Sequence, residues 1–203
     1  MTHTFDVRQA LSPNFRLAEF TRSETATKYQ LYNVPREECD LANLKALAQK
    51  VLEPARTVLG RPLVITSGYR CGTLNRLIGG AGQSQHLYGE AADISLRGMP
   101  MVDAALSLAA QDDLPFDQLI YEIRTHNSRP PIEWIHISHK RLGGNRHEVL
   151  TICQNGGERH TRTGVKAVAA FLAQEAGAGT AAQEFAPSVE TSRAEMATAH
   201  AAA

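Results

Sequence analysis

The chain has 203 residues, with 21 basic and 21 acidic side chains and a formal net charge of zero. This length indicates one domain, or one domain with a tail, and it is enough to bury a core without disulfide bridges. The balanced charge argues against a nucleic-acid protein that neutralises phosphates and against a polybasic membrane binder. Hydrophobic residues make up 43% of the chain and charged residues 21%, which is typical of a soluble globular protein.

The cysteine content, the lengths of the apolar runs and the N-terminal segment further limit the class of protein. Three cysteines without C-x-x-C spacing argue against a disulfide framework and a cysteine zinc site, so free thiols in a reducing compartment are expected. No apolar run is long enough to cross a membrane. The N-terminal segment lacks the basic start and apolar run of a Sec-type signal peptide, so we expect synthesis in the cytoplasm without one.

The first third of the chain predicts helices. Residues 15–20 have the spacing of a short helical turn, and Ser23 indicates a second short helix. The clearest helix spans residues 35–59, because its apolar residues recur at three- and four-residue steps. Asn33 is a candidate N-cap for this helix. Pro54 is expected to kink it.

The middle of the chain predicts strands around one more helix. The predicted strands are residues 62–67, 90–96, 116–123, 132–138 and 147–153. A Gly-rich loop at 68–86, with a helical turn near 74–78, follows the first strand, and a helix is predicted at 101–111. Short connections between the last three strands favour antiparallel pairing. The predicted fold is therefore α+β, with a small, mostly antiparallel sheet and flanking helices.

The C-terminal part changes in character after Cys153. A polar turn at 154–164 is followed by a predicted helix at 165–174. Residues 175–203 are Ala-rich and have too little apolar surface to order themselves, so we expect a disordered tail. A helix that docks on a partner is the alternative. The predicted organisation is a domain over 1–153, an extension over 154–174 and a tail over 175–203.

The segment S-Q-H-L-Y-G-E-A-A-D at 84–93 contains candidate metal ligands. His86 and Asp93 are suitable ligands for a divalent cation, and Gly89 between them lets the backbone turn so that both side chains converge. His136, in E-W-I-H-I-S, adds a third ligand. Two histidines and one carboxylate leave a fourth position for water, as in catalytic zinc sites. Each residue taken singly is more often a satisfied core residue.

Glu133 precedes His136 by three residues. On an ideal strand these two side chains face opposite sides of the sheet. A bulge or a strand start is therefore needed to bring Glu133 to the metal.

The motif Ser84-x-His86-x-x-Gly89-x-Ala91-x-Asp93, followed by Glu133-x-x-His136, is specific in combination with T-S-G-Y-R at 66–70. Over roughly residues 12–140 the chain resembles the zinc D-Ala-D-Ala carboxypeptidase family. That family includes the vancomycin-resistance D,D-peptidases and many phage endolysins, and its fold is shared with the hedgehog signalling domain.

The resemblance implies roles for individual residues. His86, Asp93 and His136 would bind Zn²⁺, and Glu133 would be the general base that takes a proton from the zinc-bound water. Arg70 would bind substrate or stabilise the oxyanion at the scissile carbonyl, with a salt bridge that braces its loop as the alternative. Ser84 would form a hydrogen bond with substrate or with a metal ligand. Gln83 and Tyr88 would line the substrate cleft, and ordinary surface roles are equally open for these two.

Neighbouring polar residues have weaker indications. For Asp117, Gln118 and Glu122, orientation of a metal ligand and a solvated strand face are equally open. His139 is expected at the surface. The basic run over 139–146 is expected to be a solvated loop, with contact to carboxylates of a wall peptide as the alternative.

The implied activity is zinc-dependent hydrolysis of an amide bond in the peptidoglycan stem peptide. It would be that of a D,D-carboxypeptidase or of an L-Ala-D-Glu or D,D-endopeptidase. We expect a monomer without a nucleic-acid partner or membrane span that acts at the bacterial cell wall, after release by a holin as a phage or prophage lysis enzyme, or as part of a virion. The alternatives are a metal-holding binding module without hydrolysis and a virion structural protein.

Overall fold

A computed structural model describes residues 5–126, 129–155 and 157–167 of the chain. The helices are α1 (Leu17–Thr21), α2 (Glu24–Lys28), α3 (Glu38–Leu47), α4 (Glu53–Leu59), α5 (Gly72–Leu77) and α6 (Met101–Ala109). The strands are β1 (Val64–Ser67), β2 (Ala91–Ser95), β3 (Gln118–His126), β4 (Arg129–Ser138), β5 (Glu148–Asn155) and β6 (Glu158–Thr163). A π-helical turn, Ala48–Leu52, joins α3 to α4, and a 3-10 turn, Gln85–Tyr88, precedes β2.

The six strands form one mixed sheet in the order β1-β2-β4-β3-β5-β6. Every neighbouring pair is antiparallel except β3 and β5, which are parallel. The predicted α+β class and mostly antiparallel sheet are confirmed, whereas the closer likeness to the hedgehog domain stays a prediction. The antiparallel pairing expected among the last three predicted strands is wrong for β5, which pairs with β3 in parallel. Because β2 occupies the other edge of β4, β5 pairs with β3, and the chain after β4 crosses back past the start of β3.

Strand β6 was not predicted, since its residues were assigned to a polar turn. It is an edge strand whose side chains are mostly exposed, so it lacks the apolar alternation that marks a half-buried strand. After β6, residues 165–167 have no regular structure. The rest of the predicted helix at 165–174 and the predicted tail lie outside the described residues.

The predicted helix over 35–59 is a continuous helical segment over 38–59 that changes type midway. A proline inside a helix lacks a hydrogen-bond donor and clashes with the carbonyl four residues earlier. The π-helical turn lies immediately before the turn that contains Pro54, and such a widened turn accommodates both problems. The prediction that Asn33 caps this helix is wrong, because Glu37 occupies the N-cap position. The buried Asn33 side chain instead bonds the backbone of Tyr69 and Cys71.

The two faces of the sheet differ in chemistry. One, which we call the apolar face, presents the buried side chains of Ile94, Leu119, Tyr121, Ile135 and Ile137. The other, which we call the site face, presents Asp93 and His136, because side chains alternate along each strand. In the described ranges no helix is both long and apolar enough to cross a bilayer.

Candidate active site

Three elements bring the candidate ligands together. His86 lies in the 3-10 turn, Asp93 in β2 and His136 in β4. Asp93 and His136 are directly opposite each other in the β2–β4 ladder, so both side chains lie on the site face. All three residues are buried, with exposed fractions of 2%, 7% and 9%.

The three candidate ligand atoms form a nearly equilateral triangle. His86 Nε2 lies 3.2 Å from Asp93 Oδ1 and 3.2 Å from His136 Nδ1, and His136 Nδ1 lies 3.0 Å from Asp93 Oδ1. Atoms bound about 2.0–2.1 Å from a tetrahedral zinc ion are about 3.3 Å apart. The triangle therefore fits one such ion, with imidazole nitrogens and a carboxylate oxygen as donors.

The other ring nitrogen of His86 fixes its protonation. His86 Nδ1 lies 2.7 Å from the carbonyl oxygen of Gly68, and since a carbonyl only accepts, Nδ1 carries the proton and donates it. Burial lowers the pKa of His86, which favours the neutral ring. The lone pair of Nε2 is then directed at Asp93 and His136. A backbone carbonyl on the far nitrogen is the usual support of a metal-binding histidine.

Arg70 supports Asp93 from the other side. Its Nη2 donates to Asp93 Oδ2 over 2.7 Å, and its Nε donates to Ser67 Oγ over 3.0 Å. Burial alone would raise the pKa of Asp93, but His86 and His136 outweigh burial, and the pKa lies well below its ordinary value. Arg70 thus orients the ionised carboxylate. This contact is the salt bridge expected as the alternative for Arg70, and its contact with substrate stays a prediction.

Two glycines allow the backbone to approach closely around the site. Gly89 ends the 3-10 turn with φ of 67°, and a Cβ there would lie 2.5 Å from the carbonyl oxygen of Asp40 in α3. A Cβ on Gly68 would lie 2.6 Å from the backbone of Phe20 in α1. Gly89 therefore provides the predicted turn, and it also lets this turn pack directly on α3.

The structure does not bring Glu133 to the three ligand atoms. The β3–β4 pairing is regular from Glu133 to His136, so no bulge reverses the alternation, and Glu133 lies on the apolar face. There its carboxylate accepts a hydrogen bond of 2.5 Å from the hydroxyl of the buried Tyr121. The condition that the sequence analysis set for Glu133 as general base is therefore not met.

Glu122, on β3, is a carboxylate on the site face that lies outside the ligand triangle. It pairs with Trp134, two residues before His136, and therefore shares a face with His136. Burial raises the pKa of Glu122, and the nearby charge of Asp93 raises it further. A carboxyl with a raised pKa beside a metal-binding group is a typical general base. From the sequence, orientation of a metal ligand and a solvated strand face are equally open for Glu122, because its surroundings depend on the pairing of β3 with β4.

Asp117, at the start of β3, is fully buried and is the centre of an ionic network. Arg146 donates to it from its backbone N, Nε and Nη2, and Lys140 Nζ lies 3.3 Å away. Gln85, adjacent to His86, donates to Asp117 Oδ2 over 3.0 Å. Asp117 thus ties the loop after β4 to the turn that contains His86.

Two expectations for this loop were therefore wrong. The basic run over 139–146 is not simply solvated, because Lys140 and Arg146 pair with Asp117 and Arg141 Nε donates to Asn43. His139 is 97% buried rather than at the surface, with Nδ1 lying 2.6 Å from the carbonyl oxygen of Pro115. Both errors have the same origin, since the loop crosses the start of β3 and packs there.

The remaining predicted substrate contacts lie next to the centre in sequence. Ser84 occupies the N-cap position of the 3-10 turn without capping it by its side chain. The side chains of Gln83 and Tyr88 are exposed, Tyr88 at 49%. The structure thus leaves all three residues as predictions, on a turn whose position is fixed by His86.

Comparison with families of known proteins gives a match over most of the described part of the chain. The model of a family described as Peptidase M15 matches residues 13–137, more than half of the chain, and this range includes all three candidate ligands, Arg70 and Glu122. No curated protein matches the chain.

Proposed function

The chain belongs to the Peptidase M15 family, whose members are metallopeptidases, and we propose that it hydrolyses an amide bond of the peptidoglycan stem peptide with Zn²⁺ as cofactor. The observation that carries this proposal is the triangle of His86, Asp93 and His136, with Glu122 on the same face of the sheet. When bound, the ion would polarise the substrate carbonyl and lower the pKa of a bound water toward about 7.

In this proposal the three candidate ligands, Arg70 and Glu122 each have a defined role. His86, Asp93 and His136 hold the ion, and Arg70 orients the Asp93 carboxylate by a hydrogen bond. The carboxylate of Glu122 accepts a proton from the attacking water and returns it to the nitrogen of the leaving amine. Because the pKa of Glu122 is raised, its carboxylate accepts a proton more readily near neutral pH than an ordinary glutamate does.

The proposal includes the setting that the sequence analysis expected. The enzyme would act as a monomer at the bacterial cell wall, reached through a holin or as part of a virion. Loss of a terminal D-Ala from the stem peptide would define a D,D-carboxypeptidase, and an internal cut would define an endopeptidase.

The test compares two glutamates that lie on opposite faces of the sheet. The purified full chain, loaded with Zn²⁺ or treated with a chelator, is incubated with peptidoglycan fragments, and the products are identified by mass spectrometry. Glu122→Gln should retain zinc by elemental analysis and lose turnover by about 10²–10⁴-fold, the usual contribution of a general base. Glu133→Gln, the matched control, should retain most of the turnover. His136→Ala should lose zinc.

The opposite outcomes are equally clear. If Glu133→Gln lost turnover and Glu122→Gln retained it, Glu133 would be the general base instead of Glu122. A wild-type chain that binds zinc but cleaves no fragment would favour the binding module or the virion structural protein.

A further inference from the structure

The site face continues beyond Glu122 into a cationic strip, defined here as Arg124, Trp134, Gln154 and Arg159. Arg124 lies opposite Gln154 on β5, which lies opposite Arg159 on β6, and Trp134 is the residue opposite Glu122. All four side chains therefore lie on the same face as His136. The strip begins at Trp134, the residue that pairs with the proposed general base.

Arg124 is held in a fixed orientation with its outer edge open. Its guanidinium lies 5.3 Å from the centre of the Trp134 ring, and its Nε donates to Gln154 Oε1 over 3.1 Å. Among the described residues, neither terminal nitrogen has a hydrogen-bond partner and no carboxylate forms an ion pair with Arg124. A guanidinium fixed in this way presents two parallel N–H donors, the geometry that binds one carboxylate.

Arg159, on β6, adds a second exposed cation to the site face. Its charge lowers the pKa of Glu122, although burial and Asp93 leave that pKa raised overall, so the field of Arg159 reaches the candidate active site. Within the described part of the chain it also forms no ion pair with a carboxylate. Two cations that lack acidic partners on one open face favour an anionic occupant.

The distance from the candidate ligands fits a peptide. Ile132, the β4 residue opposite Arg124, is four residues from His136, which is about 13 Å along a strand. An extended peptide advances about 3.3–3.6 Å per residue, so about four residues span this distance.

We propose that the cationic strip is a specificity subsite that binds a free carboxylate of the substrate peptide, three or four residues from the scissile amide. This inference rests on the proposed function and goes beyond it, because it selects acidic stem peptides over amidated ones. The Trp134 ring and Gln154 hold the Arg124 guanidinium in place, and Arg159 adds long-range attraction.

The test varies both the protein and the peptide substrate. A synthetic stem peptide with free side carboxylates, and the same peptide with carboxamides in their place, are given to the zinc-loaded full chain and to Arg124→Gln. Arg162→Gln is the matched control, since Arg162 lies on the same strand as Arg159 but on the opposite face. Hydrolysis gives kcat/KM, and fluorescence anisotropy of the labelled peptides gives binding that does not depend on turnover.

We expect wild type to prefer the acidic peptide by about tenfold, through KM, and Arg124→Gln to lose this preference while Arg162→Gln keeps it. Equal binding of both peptides by wild type would overturn the subsite and leave the proposed hydrolysis intact. A wild type that binds the acidic peptide selectively and cleaves neither would contradict the proposed function and support the subsite. Arg124-dependent binding of peptide-free glycan strands, without a preference between the peptides, would overturn it in favour of a glycan surface.

Discussion

The buried carboxylate of Asp117 should stabilise the fold in a pH-dependent way. Burial raises its pKa, but the hydrogen bonds from Arg146 and Lys140 outweigh burial and bring the pKa from the ordinary 3.8 to about 2. Because one pKa unit is worth about 1.4 kcal/mol, the ionised form contributes about 2 kcal/mol to the free energy of unfolding. This contribution is complete above pH 4, where the unfolded chain is also ionised, and it disappears as the pH falls from 4 toward 2.

The measurement is urea unfolding of wild type and Asp117→Asn at pH 7, 5, 4 and 3, followed by the fluorescence of Trp134, the single tryptophan of the chain. The variant should be less stable by about 2 kcal/mol at pH 7 and 5, and the difference should shrink below pH 4. Asp113→Asn changes an exposed carboxylate a few residues away and is the control. A difference that stays constant over the whole pH range would refute the ionic origin of the effect.

Three further predictions concern residues around the site. Gly89→Ala should destabilise the fold by about 1–3 kcal/mol in chemical denaturation, because of its positive φ and the contact with α3, whereas Gly82→Ala, with open space around it, should have little effect. Arg70→Gln should weaken zinc binding by about 10–100-fold in competition with a chelator, and an unchanged affinity would exclude its support of Asp93. Tyr121→Phe should cost about 1 kcal/mol of stability and leave turnover intact, since its hydroxyl acts on the apolar face; a loss of turnover would contradict that placement.

The candidate metal group could be assembled from the sequence because its residue types and spacing are specific. His86 and Asp93 lie on one short turn-and-strand segment, and His136 lies on a strand with a clear apolar pattern. The pattern also placed Glu133 and His136 on opposite faces of an ideal strand, which agrees with the structure. The resemblance to the peptidase family implied that Glu133 lies beside the metal ligands. In the structure it lies on the apolar face, where it contacts Tyr121.

Other features depend on contacts between distant segments, which no local pattern encodes. The position of Glu122 on the site face follows from the register of β3 against β4. The burial of His139 follows from the path of its loop across the start of β3, which the parallel β3–β5 pairing requires. Strand β6 forms at an exposed edge by backbone hydrogen bonds, and its side chains are mostly polar. In each case the information lies in pairing rather than in residue type.

The direct pairing of Asp93 with His136 links the assembly of the sheet to the formation of the site. If β2 slipped by one residue against β4, the Asp93 carboxylate would turn to the apolar face, while its partner His136 would remain on the site face. A slipped chain would therefore bury a charge and lose the ligand triangle at the same time. An ion that binds only the native register would favour it by about 4 kcal/mol at a thousand times its Kd. Binding of a metal ion at this site would thus also disfavour misassembled sheets.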